Sequence, residues 1–308
     1  MNAANLYVLV TAAYNEGKFI ERMIASVISQ ELRPTRWIIV SDGSTDGTDA
    51  IVKRYAAECD FIELYRVTEE HPRNFAAQAN AINAGIAKLR NEQYEFIGNL
   101  DADITLDPSY FKLLLDKFRQ NPRLGLAGGA IHDKCKDGAF RNRRTNRVTS
   151  VAHAVQLFRR ECFEMIGGAY RPLPYGGPDT YAETEARMNG WQVTSFPELR
   201  VFHHRPSSSA GGVLRGCFRQ GKLDFSLGVS PLFEVLKLLS RIGNEPYLVG
   251  SVTTFAAFVY CYLCGEKRAV PDQFITYLRL EQKRRLVGLF RKQKREFIDS
   301  GETRSHQQ

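Results

Sequence analysis

Apolar runs at residues 6–10, 37–40, 61–67 and 94–100 alternate with stretches whose apolar residues recur at helical spacing, and this alternation limits the possible folds more than any other feature. Runs that are apolar throughout suit strands buried on both faces, as in a parallel sheet covered by helices. In the first intervening stretch Phe19, Ile20, Met23, Ile24, Val27 and Ile28 form one stripe; in the second, Ile51, Val52, Tyr55 and Ala56 do the same. An Ala-rich helix carrying Asn80 and Asn83 is predicted over 74–89, a further helix over 108–121 and a fifth strand over 124–130. The expected fold is α/β, a mostly parallel, doubly wound sheet flanked by helices.

The fourth run stops on Asp101-Ala102-Asp103. If the strand continues through them, the two carboxylates leave on one side, at the edge where open α/β sheets bind ligands. Close carboxylates repel and are costly to desolvate, and a divalent cation bridging to a diphosphate is a reason to pair them. An acidic turn before the helix start Asp107-Pro108-Ser109 is the plainer alternative.

Beyond residue 130 the rhythm breaks. Residues 134–147 are basic and polar, either a solvated excursion or a contact for phosphate or acceptor. A strand over 154–158 and a helix from 160 that stops at Gly167-Gly168 lead through a turn-rich stretch, 172–178, to a helix beginning at Asp179 and ending before Gly190. Asp179 and Glu183 fall on one face of it, where acids commonly serve only the helix dipole. Strands over 193–196 and 199–202 then end on His203-His204, a pair that spacing leaves open between core and ligand.

Hydrophobic residues make up 44% of the 308 and charged residues 25%, which argues against disorder and against a polytopic membrane protein. The net charge of +8 is concentrated in 134–147 and 283–295 without any nucleic-acid motif, so the partner it suits is an anionic membrane surface or an anionic substrate. The N-terminus lacks a secretory pattern, and six scattered cysteines, Cys261-x-x-Cys264 among them, suit reduced thiols in the cytoplasm. Residues 206–212 resemble a Ser/Gly linker, and helices are predicted over 213–223 and 231–242. Residues 247–264 carry no charge but are interrupted by Gly250, Ser251, Thr253 and Thr254. They read as a buried or interfacial hairpin rather than a span, with Lys267, Arg268 and the basic tail holding it at a cytoplasmic leaflet.

Taken together, Val10-Thr11-Ala12-Ala13-Tyr14-Asn15-Glu16, Ser41-Asp42-Gly43-Ser44-Thr45-Asp46, Asp101-Ala102-Asp103 and Gly177-Pro178-Asp179-Thr180 resemble, in order and spacing, the family 2 glycosyltransferases of GT-A fold. The resemblance covers roughly residues 5–205. The run from Asp179 to Trp191 and His203-His204-Arg205 look like a subgroup that makes bacterial surface polysaccharides. It implies a GT-A domain over 1–205, with a nucleotide-binding half at 1–130 and an acceptor and base half at 131–205; the composition of 206–308 separately suggests a helical region capable of associating with a membrane. The resemblance implies that Ala12, Ala13, Tyr14 and Glu16 surround base and ribose, with Tyr14 stacked on uracil, that Asp42 bonds the base and that Arg73 reaches the nucleotide. Asp101 and Asp103 would hold Mn²⁺ or Mg²⁺ against the diphosphate, one of His203 and His204 would complete the metal site, and Asp179 would be the catalytic base. Two positions depart from the family pattern: Ser41 stands where an aspartate is usual, and Pro178 where a glutamate is.

The implied activity is inverting, metal-dependent transfer of a single sugar, from a UDP-sugar, to a hydroxyl of a saccharide or lipid-linked saccharide. Processive polymerisation is disfavoured by the lack of a Gln-x-x-Arg-Trp sequence and of a set of apolar spans. A nucleotidyltransferase is the enzymatic rival, although Asn15-Glu16-Gly17-Lys18 stands where it would carry a glycine-rich basic phosphate loop. A nucleotide-sugar-binding subunit with a decayed centre is the rival from another class.

Overall fold

The computed structural model describes residues 6–68, 75–205, 212–241, 243 and 247–305, the last of these with side chains to residue 288. The chain forms two compact units, Met1–Ser207 and Ser208–Gln308.

In the first unit the alternation is realised as β1 (Tyr7–Ala13), α1 (Ile20–Ile28), β2 (Arg36–Asp42), α2 (Thr48–Glu58), β3 (Ile62–Val67), α3 (Ala76–Lys88) and β4 (Phe96–Leu100). These four strands are parallel and lie in the order β3-β2-β1-β4. The reason for the continuous apolar runs is visible in how they divide. Tyr7, Leu9, Trp37 and Ile39 face one core with the buried stripe of α1, whereas Val8, Val10, Ile38 and Val40 face a second core with Ala81, Ile82 and Ile86 of α3. Successive side chains therefore enter opposite layers, and neither face can be polar. The one polar atom of Trp37 is satisfied, its Nε1–H donating to Thr11 Oγ1 at 3.1 Å.

After β4 come β5 (Ile104–Leu106), α4 (Tyr110–Gln120), β6 (Leu124–Lys134), β7 (Phe140–Asn142), β8 (Val155–Arg159), α5 (Arg160–Met165), α6 (Pro178–Met188) and β9 (Gln192–His203). The sheet continues as β4-β8-β6-β9-β5, with β7 paired to β6. Pairing of β8 with β4 and with β6 is antiparallel, and that of β6 with β9 is parallel. Strand β4 ends at Leu100, so Asp101 and Asp103 lie in the link to the distant edge strand β5, not on a continuing strand.

Several expected boundaries change for local reasons. The two strands expected over 193–196 and 199–202 are one strand, β9, whose register shifts so that Phe196 pairs with Gly129 and Arg200 with Ala130. Pro197 has no N–H to give a ladder, and the residues between are pushed out as a bulge. Strands β5 and β7, three residues each, were too short to leave a periodic signal. The basic stretch 134–147 is not wholly a loop, because β7 folds back on the end of β6.

The second unit contains α7 (Val213–Ser226), α8 (Pro231–Leu239), α9 (Tyr247–Leu263) and α10 (Asp272–Ser305). The hairpin expected over 247–264 is instead the single helix α9, because the hydroxyls that seemed to interrupt it bond back into it. Thr253 Oγ1 donates to Val249 O at 2.8 Å and Thr254 Oγ1 to Gly250 O at 2.9 Å. A Cβ on Gly221 of α7 would stand 2.1 Å from Thr254 O, so the two helix backbones touch there. Lys237 lies 2.6 Å from Asp224 Oδ2 and 2.5 Å from Glu234 Oε2, neutralising two buried acids. Among the described residues no helix is long and apolar enough to cross a membrane. The expected linker falls at residues 206–211, outside the described residues, apart from Gly212.

The bulge in β9 dictates a glycine opposite it: a Cβ at Gly129 would stand 2.1 Å from Leu199 O and 2.9 Å from the Tyr110 ring. Gly129→Ala is expected to destabilise the first unit by about 1–3 kcal/mol, since backbone must move to admit the methyl. Thermal melting checks this, and an unchanged midpoint would show that the bulge yields freely.

Candidate active site

The loops that follow β1 and β2 are stitched to one another. Asn15 takes a left-handed backbone (φ 53°), uncommon for a residue with a side chain. Bonds on both sides hold it: its N–H donates to Ser44 Oγ at 3.1 Å and its Oδ1 accepts from Thr45 N at 2.8 Å. Glu16 N donates to Thr48 Oγ1 at 2.8 Å and Gly17 N to Asp46 Oδ2 at 2.9 Å. The turn formers of residues 44–48 are thus a clamp that presents Tyr14, which is exposed, and Glu16, which is half-buried. Ala12 and Ala13 lead into this turn, Ala13 buried. At the end of β2, Asp42 lines a cleft with Tyr65, Val67, Ala77, Asn80 and Ala84. Ser41 is turned away from it, donating to Asp49 Oδ1 at 2.5 Å.

Asp101 sits where α3 meets the centre of the sheet. Its Oδ1 accepts from Gln78 Nε2 at 2.9 Å and lies 3.7 Å from His153 Nδ1. Asp103 is buried, with Oδ2 accepting from Arg205 Nε at 2.7 Å and 3.5 Å from His203 Nε2. The antiparallel pairing of β5 with β9, Ile104 opposite His203, delivers this histidine to the aspartate. On its other side His203 Nδ1 lies 2.9 Å from Asp133 Oδ1, and Arg143 grips Asp133 through Nε at 2.8 Å and Nη2 at 2.6 Å. Burial alone would push the Asp103 carboxyl up, but the bonds from His203 and Arg205 outweigh it and hold it below the usual carboxylate range. Glu16, gripped by Arg205 through both oxygens, is pushed up to about 7 by burial and by the nearby charges of Asp103 and Asp101, which Arg205 opposes.

Of the two adjacent histidines, only His203 is brought to the carboxylates by its side chain. His204 turns to Thr105, its Nε2 2.8 Å from Oγ1, with its ring edge-on to Phe140. Arg73 lies outside the described residues.

A histidine fixed by a carboxylate at one nitrogen and facing a second carboxylate with the other has the outer support typical of metal-ligating imidazole. Carboxylate oxygens with one imidazole suit Mn²⁺ or Mg²⁺, so the donor types at Asp101, Asp103 and His203 fit such an ion. Among the described residues no three acidic, histidine or cysteine side chains are gathered closely enough to hold one as they stand. The guanidinium of Arg205 holds Asp103 Oδ2 at 2.7 Å and would have to move for an ion to bind that oxygen.

Asp179 opens α6 after two glycines with positive φ, Gly176 (90°) and Gly177 (84°), and Pro178 in the first turn. Its Oδ1 accepts from Thr180 N at 2.8 Å. Glu183, one turn on, points inward and accepts from Ser150 Oγ at 3.1 Å and from Val151 N. Burial and then the charge of Asp179 push its carboxyl up to about 8. Glu183 anchors α6, and Asp179 remains at the helix start.

Four contributors had no separate signal in the sequence: Gln78, Asp133, His153 and Tyr170. Each is a common residue in no motif: Gln78 is brought in by a turn of α3, Asp133 by the parallel β6–β9 ladder, His153 by the approach to β8, and Tyr170 by a loop tied to Asn83, none of which residue spacing reveals.

A sheet that gathers a cleft at Asp42 and a carboxylate rim at its strand ends, with a further acid on a helix start, is laid out as a GT-A glycosyltransferase. Among solved structures, the mannosyltransferase PcManGT from Pyrobaculum calidifontis, in complex with GDP-Man and Mn²⁺, is similar at TM-score 0.53 and 18% identity, over 93% of this chain and 82% of that one. TarS 1–349 of S. aureus, in complex with UDP-GlcNAc, is similar at TM-score 0.52 and 12% identity, over 89% and 78%. The chain belongs to glycosyl transferase family 2, whose profile matches residues 8–172, and it is a glycosyltransferase. Poly-beta-1,6-N-acetyl-D-glucosamine synthase of Staphylococcus epidermidis is 32% identical over 149 residues, 47% of this chain. That match takes in only 33% of the synthase.

Glu183 has an ordinary value of 4.5 and a folded value near 8, so the folded state keeps a proton that the unfolded chain releases. The stability this confers is complete below about 4.5 and is lost as pH rises through about 8. Glu183→Gln, which keeps an acceptor for Ser150 and Val151, is expected to flatten the fall in melting temperature between pH 5 and 8, read by scanning fluorimetry at stepped pH. Parallel profiles for the two proteins would count against a shifted Glu183.

Proposed function

We propose that this glycosyltransferase transfers a single sugar from a UDP-sugar to an acceptor hydroxyl with inversion, using a divalent cation, in the synthesis of a surface polysaccharide or glycolipid. The observation that carries the reading is the alignment of Asp133, His203 and Asp103 beside Asp101, with Asp179 on a helix start of the same unit. In this reading Tyr14 stacks on the base, Asp42 bonds it, and Ala12, Ala13 and Glu16 shape the ribose end. Arg73 joins the nucleotide from the segment before α3. Asp101, Asp103 and His203 hold Mn²⁺ or Mg²⁺, and His204 supports the pair from Thr105. The ion supplies charge stabilisation to the departing diphosphate. Asp179 takes the proton of the acceptor hydroxyl as it attacks the anomeric carbon from the side opposite the nucleotide. The UDP-GlcNAc bound to TarS supports a UDP-sugar donor, while the GDP-Man bound to PcManGT makes a GDP-sugar the alternative to test. The alignment reaches too little of the staphylococcal synthases for their polymerising activity to be carried over.

One observation favours a second reading. A guanidinium sits on Asp103, as it would in a nucleotide-sugar-binding subunit that has lost its chemistry.

Asp179→Asn is expected to lower UDP release from donor plus acceptor by at least about 100-fold, consistent with loss of a general base. UDP binding, measured by calorimetry, is expected to persist in that variant and to weaken with EDTA. Full turnover in the variant refutes the base, and metal-independent turnover refutes the ion. UTP formation from UDP-sugar and pyrophosphate would identify a nucleotidyltransferase instead.

The second unit supports peripheral contact with the cytoplasmic face of an anionic membrane. Leu248, Val252, Phe255 and Leu263 of α9 are exposed, Leu263 at 82%, and Lys267 and the α10 residues Lys283, Arg284 and Arg285 are exposed cations. Flotation with phosphatidylglycerol vesicles is expected to carry the protein at low salt and to lose it when Leu248 and Val252 are both changed to Ser. Equal recovery with neutral phosphatidylcholine vesicles would remove the charge from the argument.

A further inference from the structure

One cation holds two acids of the rim at once. The Arg205 guanidinium donates through Nε to Asp103 Oδ2 at 2.7 Å and through Nη2 to both carboxylate oxygens of Glu16. Glu16 belongs to the turn after β1 and Asp103 to the link after β4, so a residue just beyond β9 ties together two loops of the nucleotide side. Both acids are largely enclosed, their side chains 16% and 10% exposed, whereas the arginine side chain is 46% exposed. The counter-ion is the member of the trio that meets solvent.

Arg205 is anchored at more than one point. The backbone beside it is pinned, His204 N donating to Asp103 O at 2.9 Å, which keeps the root of the side chain at the rim. Its guanidinium carbon lies 5.2 Å from the centroid of the Phe19 ring, a hold that involves neither acid. Loss of the Asp103 bond alone therefore leaves the group on Glu16 and Phe19, beside the oxygen it has left. A guanidinium stays charged at any working pH, so an ion joining it on Asp103 Oδ2 would set two positive charges against one oxygen. A diphosphate bridged to an ion at Asp103 would bring phosphate oxygens alongside, and the fork of an arginine matches them.

Resting on the reading of Asp103 as a ligand of the divalent ion, we propose that Arg205 is a resident counter-cation that trades places with that ion: as the donor binds, the guanidinium gives up Asp103 and turns its fork to the diphosphate. Its two positions serve the same rim in turn. Before the nucleotide arrives it offsets Glu16 and Asp103; with the donor bound, Asp103 is offset by the ion and the guanidinium adds a second positive charge to the leaving group. One side chain thereby couples nucleotide binding to ion binding.

The test counts Mn²⁺ bound to the nucleotide-free protein, from the electron paramagnetic resonance signal of the free ion. Arg205→Gln is expected to bind Mn²⁺ about 5–50-fold more tightly than wild type, because the competitor for the Asp103 oxygen is gone. At saturating Mn²⁺ the same variant is expected to bind UDP about 10-fold more weakly by calorimetry, because charge-assisted bonds to phosphate are gone. Uridine, which has no phosphate, is expected to bind both proteins alike. Arg205→Lys keeps the charge but not the fork, and is expected to show at least about half of each change on a logarithmic scale. Should Arg205→Gln fail to fold, the lysine variant, which leaves the acids neutralised, carries both measurements. Unchanged or weaker Mn²⁺ binding in Arg205→Gln overturns the exchange, as does a lysine variant that matches wild type on both counts, which marks a general field effect. Loss of uridine affinity in step with UDP affinity overturns the diphosphate contact and marks a merely structural arginine. Asp103→Asn measured alongside separates this failure from that of the ion's assignment. If that variant binds Mn²⁺ as wild type does, Asp103 is not a ligand; if it loses Mn²⁺ while Arg205→Gln binds as wild type does, only the exchange falls.

Discussion

Mutual repulsion of carboxylates is the constraint around which this structure is built. Glu16, the Asp101 and Asp103 pair, and Asp133 arrive from three places in the chain, and bringing them together is tolerable only because cations are interleaved with them. Arg205 spans Glu16 and Asp103, His203 lies between Asp103 and Asp133, and Arg143 closes the outer side. Desolvation makes the arrangement more demanding, since the same burial that raises Glu16 to about 7 also strengthens each pairing. The sheet serves this end by placing β4 centrally and sending its continuation across to pair with β9.

The stretch from β1 to β4 was legible because its strands are buried on both faces and local. Each apolar run is followed by a helix with a single stripe, so period and order alone specify β1 to β4. The second half was legible only in pieces. Its antiparallel pairings join β8 and β6, β4 and β8, and β5 and β9, contacts whose partners are far apart in sequence, and two of its strands have only three residues. Helix α9 departs from the expected hairpin because its Gly and Thr residues suggest a break, whereas the Thr253 and Thr254 hydroxyls bond within the helix and Gly221 of α7 lets the two backbones meet at Thr254.

The site divides along the same line. Asp42, Asp101, Asp103 and Asp179 sit in short motifs that are weak singly and informative through their order and spacing along the chain. His153 and Asp133 do not, because their roles come from register: His153 precedes the strand that pairs with β4, and Asp133 lies opposite His203 in the β6-β9 ladder. The adjacent histidines could not be told apart by spacing because strand alternation is what separates them. One reaches the acidic rim, and the next side chain turns to Thr105 and Phe140.

Strand β5 also closes the sheet. It is an edge strand of three residues, bounded on one side by the acidic link and on the other by a helix beginning at Tyr110. A neighbouring chain seeking to extend the sheet there finds too short a row of free amides to register against, next to a concentration of negative charge. The crossing that completes the rim therefore also guards this border of the molecule against self-association by strand addition.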